Sequence, residues 1–105
     1  MGSRPKTGEQ YAALVQQAID ELEDIIEAAN FDIDEIDANL EYVEVLLREL
    51  RTMRESMRDG SYQFGRRDLP MMRVVKQHSE AELPCIRMFY DINQTHMLGL
   101  DVDGD

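Results

Sequence analysis

From Thr7 to Leu47 the chain carries twelve acidic side chains and neither lysine nor arginine. So much like charge folds compactly only if the acids line one side of a regular element and apolar residues line the other. The apolar residues meet that condition. Tyr11, Val15, Ala18, Leu22, Ile25 and Ala29 recur at alternating steps of four and three. Leu14, Ile19 and Ile26 widen the stripe to an arc of roughly 140° on a helix. Asp20, Glu23, Asp24 and Glu27 fall on the opposite side. Thr7 and Gln10 have the spacing of a capping box at the helix start, and Asn30 suits its end.

A second start signal follows at once. Asp32 can cap, Glu35 sits three residues on, and Phe31 can pack on Ile36 as a hydrophobic staple. Ile33, Ile36, Leu40, Val43, Leu47 and Leu50, continued by Met53 and Met57, predict a helix ending near Asp59-Gly60. Its acids crowd the first turns, while Arg48, Arg51, Arg54 and Arg58 crowd the last, which suits the helix dipole. Two long helices joined by two or three residues must turn back on each other. The expectation is a long antiparallel hairpin over residues 7–59.

The rest of the chain is less regular. Residues 60–68 read as a loop. Asp68-Leu-Pro70 and Glu82-Leu-Pro84 both resemble helix starts, because proline is favoured in a first turn. Met71, Val74, Val75 and His78 can share one short helical face. Ile86, Phe89, Tyr90, Met97 and Leu100 fit a last helix stopped by Gly99. A strand competes, since Ile86, Met88, Tyr90 and Ile92 alternate and Met71–Val75 is rich in β-formers. The proline start and glycine stop favour helix over 84–98, and a short strand is allowed around 62–75. The fold class is therefore mainly α, a helical hairpin followed by one or two shorter C-terminal helices. One domain spans 7–100, with its later helical elements in 69–99. A disordered start (1–6) and an acidic tail (101–105) flank it.

Composition narrows the function. The formal charge is −11, yet from Arg48 to Arg87 nine bases face six acids. The molecule is electrically bipolar. Direct binding to nucleic acid needs basic residues to displace counterions, so it is not expected, and anionic membrane surfaces are disfavoured too. No apolar run approaches the length of a membrane span. The single cysteine, Cys85, allows no internal disulfide, and nothing resembles an export signal. The expected setting is the cytoplasm.

Candidate chemistry is thin. Asn30, Asp32, Asp34 and Glu41 have the spacing of calcium ligands in an EF-hand loop. Glu35 stands where the sharp turn needs glycine, Asp37 stands at an apolar position, and capping already accounts for Asp32 and Glu35. Asp101, Asp103 and Asp105 lack a closing ligand. Cys85 follows Pro84 at a helix start, but a nucleophile also needs a base within reach. His96 is eleven residues away, roughly 16 Å along a helix. Asn93-Gln-Thr-His96 reads as a solvated helix end, and Arg66-Arg67 beside Tyr62 and Phe64 is a patch too small to outweigh the net charge. Six of the seven methionines follow Leu50, a distribution suited to an irregular core or an adaptable surface.

No residue is assigned to catalysis, a metal or a cofactor, and no motif ties the chain to a known family. The expected function is a small non-enzymatic protein–protein interaction module, a regulator, adaptor or secretion-type chaperone. Its partner would be a protein, a basic one being what the charge attracts, met by Asp20, Glu23, Asp24, Glu27, Asp34, Asp37, Glu41, Met71 and Met72. A homodimer through the hairpin helices would share the broad apolar stripes. The alternative is a small enzyme or metal-binding protein using Cys85, His78 and His96.

Overall fold

A computed structural model describes residues 5–31, 41–81 and 83–100. It is mainly helical, and none of the described residues lies in a strand. Helix α1 spans Gly8–Phe31 and α2 spans Glu41–Asp59. The short α3 (Met72–Val75) and the longer α4 (Ile86–Leu98) follow. The expected tip of the hairpin, with the Asp32 cap, the Phe31–Ile36 staple and the EF-hand-like spacing, lies outside the described residues.

The start of α1 is fixed by the two predicted side chains. The Gln10 N–H donates to Thr7 Oγ1 at 3.1 Å, and the Tyr11 N–H donates to the Thr7 carbonyl at 3.0 Å. The Gln10 amide reaches back one residue further than a capping box requires, accepting the Lys6 N–H at 2.8 Å. Pro5 is buried just ahead of it, so residues 5 and 6 join the helix start.

Helices α1 and α2 pack antiparallel. Glu23, late in α1, pairs with Arg51 in the middle of α2, while Tyr11 and Met57 border one recess near the opposite end. Tyr11, Val15, Ala18, Ile19 and Leu22 of α1 are buried against Val43, Leu46, Leu47, Leu50 and Met53 of α2. Leu46 falls beside the predicted stripe rather than on it. It is buried because α2 is covered on two flanks, by α1 and by the segment around residues 69–78. There Tyr42 stacks on His78 at 3.9 Å, and Met53 and Ser56 border a recess with Leu69 and Met71.

Helix α4 completes the core with Ile86, Phe89 and Ile92, packing on α1 and on α3. The alternation that allowed a strand over 86–92 is realised as helix. The predicted stop holds: Gly99 takes φ 83°, and its N–H donates to the Thr95 carbonyl at 2.7 Å. A positive φ is cheap for glycine alone among common residues.

One expectation for α4 is overturned. Asn93 and Thr95 are buried, so Asn93-Gln-Thr-His96 is not a solvated helix end. Asn93 Oδ1 accepts the Leu69 N–H at 2.7 Å, and its Nδ2 donates to Asp68 Oδ1 at 2.9 Å. The other Asp68 oxygen accepts from Lys76 Nζ at 2.7 Å. These hydrogen bonds, Lys76 first and Asn93 second, hold the Asp68 carboxyl below its ordinary range. Asp68 and Asn93 thus clamp the irregular chain before α3 onto α4. Thr95 Oγ1 satisfies itself on the Asp91 carbonyl at 2.8 Å.

Replacing Asn93 by Ala strands the buried Leu69 N–H and is expected to cost about 1–3 kcal/mol in urea unfolding. Leu50→Ala should cost about 2–5 kcal/mol by leaving a cavity, and exposed Gln94→Ala should stay within about 0.5 kcal/mol.

Candidate functional site

The acidic face is where the helical pattern put it. Asp20, Glu23, Asp24 and Glu27 are exposed on α1, and Glu41 and Glu44 are exposed at the start of α2. Asp34 and Asp37 lie outside the described residues. Between the helices runs an open groove of about 600 Å³ with Ile26 and Leu47 at its base and Glu23, Glu27, Glu44, Arg48 and Arg51 around it. Glu23 and Arg51 pair at 2.7 Å across the groove. Both side chains are about half exposed, so the pair contributes roughly 0–1 kcal/mol. Glu27 and Glu44 remain as acids of the rim.

Met71 and Met72 lie elsewhere. They are 3% and 1% exposed and belong to the core, so this pair fills space around α3 rather than forming a surface. Thioethers are suited to such irregular gaps.

A second cluster, not anticipated as a unit, joins α1, the loop after α2 and α4. Tyr11 is 2% exposed, and its hydroxyl donates to the Ile92 carbonyl at 3.0 Å. The same oxygen lies 2.9 Å from the Tyr62 hydroxyl, which in turn lies 2.6 Å from His96 Nδ1. Each phenol has one proton, so the directions are determined. Tyr11 spends its proton on Ile92, Tyr62 must donate to Tyr11, and His96 must donate its Nδ1–H to Tyr62. The neutral ring is therefore the Nδ1–H tautomer, and a second proton can add only at Nε2. That nitrogen faces Gly65, where an added Cβ would stand 2.9 Å away. The Gly65 N–H closes the contact by donating to the His96 carbonyl at 3.2 Å.

The electrostatics follow the burial. Desolvation raises the pKa of Tyr11 and Tyr62, which keeps both phenols protonated. Desolvation lowers the pKa of His96. Phe64 stacks on Tyr11 with ring centroids 5.8 Å apart and meets Tyr62 edge-on at 5.2 Å. Tyr11 had an apolar place in the helical stripe, and nothing in that pattern connects its hydroxyl to residues 62, 92 and 96.

The three groups of the alternative reading are not brought together. His78 stacks on Tyr42 in the first turn of α2, whereas His96 bonds Tyr62 beyond its last turn. His96 also borders a recess with Met53 and Ser56, eleven to fourteen residues along α2 from Tyr42, roughly 16–21 Å at the helical rise. Cys85 is 5% exposed in the core, and burial pushes its thiol up to about 11. Its place before α4 does not yield a thiolate, because desolvation outweighs the hydrogen bond it receives there. Among the described residues, no three His, Cys, Asp or Glu side chains are placed to hold a metal ion. No described helix is long and apolar enough to cross a membrane.

His96 carries the pH prediction for this site. Its folded pKa lies below the ordinary 6.5, so below that pH the unfolded chain takes up the proton first. The stability linked to His96 is complete above pH 6.5 and is lost as pH falls through the folded value. The drop in urea midpoint between pH 7.5 and pH 5 should therefore be smaller in His96→Gln than in the wild type. Gly65→Ala should cost about 1–3 kcal/mol by crowding a ring that its Tyr62 bond holds in place. Comparison with protein families, curated proteins and solved structures finds no match to this chain.

Proposed function

We infer that this protein is a non-enzymatic interaction module whose α1–α2 groove receives a basic, amphipathic segment of a protein partner. The observation that carries this reading is the groove itself, with Ile26 and Leu47 beneath a rim that includes Glu27 and Glu44. An amphipathic segment can set apolar side chains on such a base while its lysines or arginines meet the rim carboxylates. Asp20, Asp24 and Glu41 extend the negative field around the groove and would speed encounter more than they tighten binding. Asp34 and Asp37 add to that charge by sequence. The expected role is that of a regulator, adaptor or chaperone.

Self-association through the hairpin has weaker support. The large hydrophobic side chains that are exposed among the described residues are Phe64, Tyr90 and Leu98, none of them on α1 or α2. Among the described residues of the two stripes, Val15, Ala18, Leu22, Val43, Leu47 and Leu50 are buried within the chain.

A synthetic helical peptide of alternating lysine and leucine faces provides the test, with affinity followed by fluorescence anisotropy. Binding should weaken steadily between 50 and 500 mM salt, as the screening length falls from roughly 14 Å to roughly 4 Å. Glu27→Lys with Glu44→Lys should reduce affinity about tenfold or more, equivalent to about 1.4 kcal/mol. The double variant Glu55→Lys with Glu80→Lys has the same net charge and should leave affinity within about twofold, since both residues lie away from the groove. Equal losses in the two double variants would reduce the effect to overall charge and overturn the assignment of the groove.

A further inference from the structure

At the other end of the hairpin, some fifteen residues or roughly 20 Å along α1 from the acidic groove, lies a second recess. It has a volume of about 430 Å³ and a mostly apolar wall that includes Tyr11, Tyr62, Phe64 and Met57. That size falls within the ~300–1,000 Å³ range of small-molecule sites. The wall is preformed, because Tyr62 is held between the Tyr11 hydroxyl and His96 Nδ1, and Phe64 packs on both tyrosine rings. Phe64 is nevertheless 47% exposed, an open aromatic face at the mouth of the recess.

Arg54 of α2 borders this recess, and its Nε is buried with no hydrogen-bond partner. Arg51, Lys76 and Arg87, by contrast, pair with Glu23, Asp68 and Glu80. A guanidinium already stripped of part of its water, beside an apolar wall, gains more from an anion than a fully hydrated one does. The other charged residue of the lining, Glu9, is exposed at the start of α1. Its carboxylate can stay in water, where it repels an anion only weakly.

We propose that this recess is a binding site for a small carboxylate with an apolar or aromatic body. The body lies against Tyr11, Tyr62, Phe64 and Met57, and the carboxylate meets the guanidinium of Arg54. This site is separate from the α1–α2 groove and does not depend on a protein partner there.

The test uses 4-phenylbutyrate, 4-phenylbutanamide and 4-phenylbutylamine, which share a body and differ in head group. Each is titrated into the full ¹⁵N-labelled chain while the backbone amides and the Arg54 Nε–H are followed by NMR. The acid should bind about tenfold more tightly than the amide and should alone shift the Arg54 Nε–H signal. Arg54→Met, which keeps the apolar stem, should bring the acid down to the level of the amide. Phe64→Ala should weaken acid and amide together, with thermal unfolding used to establish that both variants fold. Equal binding of acid and amide by the wild type would overturn the proposal, as would tighter binding of the amine or no shift at the residues of the recess. A rise in affinity for the acid on removing residues 101–105 would instead make the chain's own acidic tail the occupant, and would overturn it too.

Discussion

The Tyr11 hydroxyl has almost no access to water, and a buried phenol without a partner would cost about 1–3 kcal/mol. Its acceptor is the Ile92 carbonyl, eighty-one residues further along the chain. That single requirement fixes where the first turns of α1 sit against α4. Once the hydroxyl has spent its proton there, Tyr62 can join only as a donor and His96 only as a donor to Tyr62. The loop after α2 is thereby held by polar contacts at Tyr62 and Gly65, and by ring packing at Phe64. Gly65 allows the close approach because a side chain there would meet the imidazole.

At the other end of the hairpin the constraint is charge rather than a buried polar group. The acids of α1 and of the first turn of α2 remain exposed, and the arginines that could neutralise them arrive only from Arg48 onward. Arg51 reaches back to Glu23, but Glu27 and Glu44 lie beyond that pairing. Among the described residues, the burial of Leu22, Val43, Leu46 and Leu47 offsets self-repulsion in this region more than the half-exposed Glu23–Arg51 pair does. A face stabilised in this way keeps its charge available for a partner.

How much of this was legible from residue order depends on how far apart the interacting groups stand. The two long helices were, because capping at Thr7 and Gln10 and the spacing of Tyr11, Val15, Ala18 and Leu22 are local signals. The end of α4 at Gly99 was local too. Leu46 was missed because a second covering flank on α2 comes from residues 69–78, which no helical period can announce. The polarity of Asn93 suggested solvent, yet its amide serves Leu69 and Asp68, twenty-four and twenty-five residues earlier. The methionine pair 71–72 was equally ambiguous, since burial and an adaptable surface favour the same side chain. Of the candidate sites, the acidic face could be read from helical phase. The recess beside Arg54 could not, because its walls join the start of α1 to the end of α2 and the loop after it, some forty to fifty residues away.

The Tyr11–Tyr62–His96 chain also bears on how the molecule opens. In α4 the His96 N–H points back four residues to Ile92, the same carbonyl that receives the Tyr11 hydroxyl. Both lone pairs of one oxygen are then engaged, one within the helix and one from across the fold. Fraying the last turn of α4 withdraws the imidazole from Tyr62, and lifting the start of α1 removes the acceptor that orients Tyr62. Neither end can loosen alone without disturbing the loop between them. The start of α1, the 62–65 loop and the end of α4 are therefore expected to open as one cooperative unit, their amides exchanging together although the sequence scatters them over the whole chain.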